Sequence, residues 1–181
     1  MYIARKLKEE NIAEYLLYMW QTEDLLRAHR LDLDELKRNY LVRFGAEGEA
    51  QRELENWYGN LIDMMRGEGV QERGHLQINN NVISWLTDLH ASLLRSVKFP
   101  FYTAAYYKAL PHIVELRSKG DRKDVPELEN CFDALYGVML LRLQQKPVGE
   151  QTAQAAADIA KMLGMLSDYY KQEKAGTLKL E

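Results

Sequence analysis

Apolar residues recur at three- and four-residue steps in every long segment of this chain, and nowhere do alternating apolar positions sit between paired turn signals. A chain patterned this way buries its side chains by packing amphipathic helices on one another. The expected fold is all-α: a single-domain antiparallel bundle of six to seven helices over residues 1–181, with short loops and a loose C-terminal tail from about residue 177.

The helices can be placed from their stripes and punctuation. The first is expected from about Glu9 to Arg30, with Ile12, Leu16, Met19, Trp20 and Leu26 facing inward beside Tyr15. Asp32 or Asp34 can cap the second, which carries Leu33, Leu36, Tyr40, Leu41 and Phe44. A third spans about Glu49 to Arg66, and the glycines of RGEGVQERG, up to Gly74, mark a loop. The fourth is expected from about His75 to Val97 and the fifth from about Phe101 to Lys119. Pro111 should kink the fifth or split it into two short helices. Asp124 can cap the sixth, with Pro126 just inside its start, and the sixth should reach about Lys146. An alanine-rich seventh, about Glu150 to Lys174, should end at Gly176.

Charge and cysteine content exclude several classes of function. The formal net charge is −3, which argues against bulk binding to nucleic acid or anionic membrane. Cys131 is the single cysteine, so a disulfide framework within one chain is impossible and a reducing cytoplasm is the expected compartment. The N-terminal stretch has Glu14 inside its apolar run and reads as a helix, not a signal peptide. No charge-free apolar stretch is long enough to span a membrane.

Three places could hold chemistry. Gln21, Glu23, Asp24 and Arg27 form a polar patch late in the first helix. Glu23 tracks the stripe of Met19 and Leu26, while Arg27 lies three and four residues after Asp24 and Glu23. The plainer reading, a surface ion pair, is preferred there, because charge at this density usually sits in water. The second place is the fourth helix, with His75, Asn79, Asp88 and His90. His90 falls on the apolar side with Leu86, Leu93 and Leu94. His75 and His90 lie about 22 Å apart along a straight helix, too far to share a metal. The residue three before His90 is Thr87, so the Glu-x-x-His spacing of carboxylate-bridged metal sites is missing. A hydrogen-bonded core histidine is the preferred reading. The third place is Cys131, whose neighbours Glu127 and Glu129 oppose nucleophilicity, so a small core residue is expected. No phosphate loop, His-Glu-x-x-His, Cys-x-x-Cys or Gly-x-Ser-x-Gly motif is present. The reading therefore leans away from an enzyme and calls for no metal or cofactor.

Charge is unevenly spread. Residues 31–72 hold ten acids and five bases, and residues 92–123 hold seven bases and two acids. In the latter, Arg95, Lys98, Lys108, Arg117, Lys119, Arg122 and Lys123 interleave with Phe101, Tyr102, Tyr106 and Tyr107. That pattern could stack and neutralise single-stranded nucleic acid, although the overall acidity weighs against it.

The stretches ENIAEYLLYMWQTEDLLR (10–27), GHLQINNNVISWLTDLHASLL (74–94) and ALYGVMLLRLQQKPV (134–148) resemble a bacterial domain-of-unknown-function family of small all-helical proteins. The resemblance covers nearly the whole chain. It implies a cytoplasmic helical bundle and carries no activity or functional residues with it.

The leading functional expectation is a non-enzymatic helical interaction module that forms a homodimer, with Tyr102, Tyr106 and Tyr107 as its contact surface. The alternative is a small-molecule- or metal-binding bundle using Glu23, Asp24 and His90. A weaker one is single-strand binding through residues 92–123.

Overall fold

A computed structural model describes residues 2–119 and 125–180, with the Lys119 side chain excepted. Among these residues there are eight α-helices and no strand, an all-α helical bundle as the periodicity requires. The chain divides into two compact units, one of residues 1–9 and 14–81, the other of residues 10–13 and 82–181.

The first unit contains most of α1 (Tyr2–Glu10) and α2 (Ile12–Ala28), then α3 (Leu33–Asn39), a 3-10 turn (Leu41–Phe44), α4 (Gly48–Gly67) and the start of α5 (Gln77–Arg95). Its core holds Leu16, Met19, Trp20, Leu26, Leu36, Tyr58, Leu61, Ile62, Met65 and Leu76, all at most a few per cent exposed. Asp32 caps α3, accepting from the Glu35 N–H at 2.9 Å. The expected first helix ends early, at Ala28, because Arg30 and Leu31 both take positive φ. The Leu31 N–H reaches back to the Leu26 carbonyl, closing the helix as a glycine-ended one would close. Arg30 adopts φ 55° with an exposed side chain. Arg30→Gly should therefore raise the unfolding free energy by about 0.5 kcal/mol, since left-handed strain in an L-residue exceeds the entropic cost of glycine. Urea titration of the two proteins checks this.

The second unit contains the rest of α5, then α6 (Pro100–Lys119), α7 (Glu127–Leu143) and α8 (Glu150–Lys174), the last three packed on one another. Val82, Leu86, Leu93, Ile113, Phe132, Ile159, Met162 and Leu166 are among its buried residues. Asn11, absent from the expected helix boundaries, separates α1 from α2. Its Oδ1 accepts from the Ala13 N–H at 3.1 Å and the Ser167 hydroxyl at 2.8 Å. Pro111 does not divide α6 into two helices. It lies on an exposed side, where the carbonyl it leaves unpaired can turn to water. Pro126 occupies the cap position of α7 and not its first turn; the expected cap, Asp124, lies outside the described residues. Beyond Gly176 the Thr177 and Leu178 N–H groups donate to the Gln172 carbonyl, and the Leu180 carbonyl accepts from the Ser96 hydroxyl at 2.9 Å. No described helix is long and apolar enough to cross a membrane.

Candidate functional site: a buried carboxylate at the start of α5

The stripe that buries Leu16, Met19 and Leu26 also carries Glu23 inward, leaving it 1% exposed. A carboxylate in such a place is tolerated only when hydrogen bonds replace its water. Glu23 has three donors. Oε1 accepts from the Leu76 N–H at 3.0 Å and from Asn79 Nδ2 at 2.6 Å, and Oε2 meets His75 Nδ1 at 2.7 Å.

The same geometry explains how α5 begins. Its cap position is Leu76, whose carbonyl accepts from the Asn79 and Asn80 N–H groups but whose apolar side chain caps nothing. Two carboxylates from elsewhere in the chain do that work. Glu23 takes the Leu76 N–H, and Glu68 takes the Gln77 N–H at 2.6 Å. Negative charge at a helix N-terminus is also favoured by the helix dipole. The His75 ring lies flat on Trp20, with centroids 4.0 Å apart and planes 10° from parallel.

The loop before α5 is held by Arg27. Its Nη1 pairs with Asp24 at 2.8 Å, and its Nη2 donates to the carbonyls of Val70, at 3.1 Å, and Gly74. Asp24–Arg27 is thus the partly exposed ion pair expected from spacing. For Glu23 that expectation is overturned: it is buried, and its partners come from the far side of a loop.

His90 has its own surroundings. Its Nδ1 shares a hydrogen bond with the Tyr102 hydroxyl at 2.6 Å, and its Nε2 is turned to the Glu127 carboxylate, 4.0 Å away. Tyr106 presents its ring at 4.9 Å. Burial pulls the His90 pKa down to about 4 and pushes the Tyr102 hydroxyl well up. Burial, then Glu127, pushes the Cys131 thiol up to about 12, as an inert core thiol requires. His90 is the hydrogen-bonded core histidine that the sequence favoured. Its partners are Tyr102 and Glu127, those of Glu23 are His75 and Asn79, and Asp88 is exposed. Among the described residues no three His, Cys, Asp or Glu side chains are placed to hold a metal.

The aromatic segment divides by face. Tyr102 is 0% exposed, which removes it from any contact surface, and Tyr106 is half-buried. Tyr107 is 62% exposed. It belongs to a seam the sequence reading missed: Pro100, Ala104, Tyr107, Pro111, Val114 and Ser118 follow one another by alternating steps of four and three, and all are exposed. Phe101, at 81% exposure, flanks it. The basic side chains are partly spoken for. Lys108 pairs with the buried Asp158 at 2.7 Å, beside His112 at 3.5 Å, and Arg117 donates to the Val125 carbonyl. Arg95 and Lys98 are exposed, while the Lys119 side chain, Arg122 and Lys123 lie outside the described residues. With Tyr102 enclosed and Lys108 paired, the surface for a single strand shrinks.

A family model described as a domain of unknown function, DUF4924, matches residues 1–177. No curated protein and no solved structure matches the chain.

Proposed function

We propose that this chain, which belongs to the DUF4924 family of unknown function, is a non-enzymatic helical interaction module that forms a homodimer through α6. The supporting observation is the exposed seam of Ala104, Tyr107, Pro111 and Val114 with Phe101 beside it. A 3.5-residue apolar repeat is the spacing at which two helices interdigitate. A second copy is the occupant that brings the same repeat, and a two-fold axis lays the patch on itself. Phe101, Tyr107 and Val114 with their small neighbours offer about 500 Å² per copy, near the lower limit for a specific interface, so the dimer should be weak to moderate. The single, fully buried thiol of Cys131 supports a reducing, cytoplasmic setting. The bacterial origin rests on the resemblance of the three quoted stretches.

A second reading, a bundle that binds a small apolar molecule, has one specific support. A groove of about 480 Å³ runs between α7 and α8, lined by Leu116, Ala134, Gly137, Leu141, Ala155 and Ile159. That volume lies in the range of small-molecule sites. Native mass spectrometry of protein purified without chelator tests both readings. A concentration-dependent dimer that Tyr107→Glu converts to monomer, with unchanged circular dichroism, supports the module. A monomer at high micromolar concentration overturns the dimer, and retained extra mass would favour the groove.

A further inference from the structure

We propose that His75 is a phosphoryl-acceptor histidine, its Nε2 receiving the group from a phosphoramidate donor while Glu23 positions the ring. The Glu23 oxygens are acceptors, so the His75 proton sits on Nδ1, in the 2.7 Å contact. The lone pair is then on Nε2. Among the described residues nothing hydrogen-bonds that atom, and the His75 side chain keeps 16% of its surface exposed. Stacking on Trp20 fixes the ring plane, and the backbone N–H of the next residue is anchored to the same carboxylate. Nucleophile, fixed tautomer and orienting carboxylate are thereby assembled on one ring.

The other three histidines make the contrast. His90 has both nitrogens turned to protein groups and is buried. His29 Nδ1 is 3.8 Å from Glu35, too far for a hydrogen bond to fix its tautomer. His112 has Nε2, its less hindered nitrogen, 3.5 Å from Asp158. His75 alone among the four combines a pinned Nδ1 with an open Nε2.

In the transfer, the Nε2 lone pair forms the new N–P bond as the donor's P–N bond breaks. The donor enters already protonated, so the leaving nitrogen keeps that electron pair and departs as neutral ammonia or imidazole. The ring retains its Nδ1 proton, and the positive charge it gains lies against the Glu23 carboxylate. Arg73, two residues earlier, is exposed and makes no ion pair among the described residues, so it can turn to the phosphoryl oxygens. A phosphoramidate donor makes the exchange one N–P bond for another. The chemical class includes a phosphohistidine on a second protein.

The probe is potassium phosphoramidate at neutral pH, applied to the full chain and read by intact mass, peptide mapping and phosphorus NMR. His75 should be modified on Nε2 about tenfold or more faster than His29 or His112. In Glu23→Gln the amide oxygen still accepts from Leu76 and Asn79 while its NH₂ faces His75 Nδ1. The ring must then place its proton on Nε2, so the rate should fall to that of the other histidines. Nitrogen NMR should show the tautomer switch, which a purely structural role for Glu23 would not require. Equal labelling of His29 or His112, no adduct at His75, or an unchanged rate in a folded Glu23→Gln would each overturn the proposal. The comparison among the native histidines decides it even if that variant does not fold. None of these readouts depends on the dimer.

Discussion

Glu23→Ala should lower the unfolding free energy by about 3–5 kcal/mol, a large share of what a domain of this size possesses. The loss is not that of one contact. Removing the carboxylate leaves the Leu76 N–H, Asn79 Nδ2 and His75 Nδ1 without their acceptor. Leu76 and Asn79 are both buried, so water cannot replace it without opening the site. The first turn of α5 loses one of its two capping carboxylates at the same time. Asp24→Ala, one residue along, is the control. Asp24 is half exposed and its ion pair with Arg27 lies at the surface, so its replacement should cost under about 1 kcal/mol. Denaturant unfolding of both variants gives the comparison, and hydrogen exchange at Leu76 and Gln77 shows whether α5 frays from its start. Similar costs for the two variants would mean that Glu23 is not the acceptor on which this junction depends.

The contrast between these neighbouring acids shows where the sequence was legible. Helical period placed Leu16, Met19, Trp20 and Leu26 inside, and all four are buried. It also put Glu23 on their stripe. What spacing could not supply was the partner, because His75 and Asn79 arrive 52 and 56 residues later and only packing brings them back. Arg27 was the partner that a four-residue step suggested, and it serves Asp24 and the loop instead. The tyrosines fail for a different reason. Tyr102 and Tyr107 are five residues apart, about 140° around a helix, and cannot share a face. Composition grouped them, whereas geometry buries the first and exposes the second. The seam through Ala104, Pro111 and Val114 was written in the spacing but masked by the prominence of the aromatic residues. Asn11 was missed because an apolar stripe continues across it, although asparagine is a common helix cap.

Acidification should destabilise the second unit before its carboxylates titrate, and His90 is the cause. In the unfolded chain this ring takes a proton near pH 6.5, whereas in the fold it stays neutral to about 4 because burial penalises the charge. Between those values the unfolded state binds more protons than the folded one, so stability rises with pH. The full contribution is present above about pH 6.5, falls by roughly 1.4 kcal/mol per pH unit below it, and reaches a loss of about 3 kcal/mol near pH 4. The groups facing the ring are the Tyr102 hydroxyl, the Tyr106 ring and, at 4.0 Å, the Glu127 carboxylate. Asp158, held below its ordinary range by the Lys108 hydrogen bond, contributes stability that is lost only at lower pH, as that carboxylate takes up its proton. The two windows are therefore separable. His90→Gln removes the titration while leaving an amide oxygen for Tyr102. Urea unfolding at pH 7.5, 6 and 4.5 should show native stability falling more steeply than that of the variant, by about 2.5 kcal/mol over the range. Parallel pH profiles would mean that His90 takes up its proton over the same pH range in the folded protein as in the unfolded chain, and that burial does not hold it neutral.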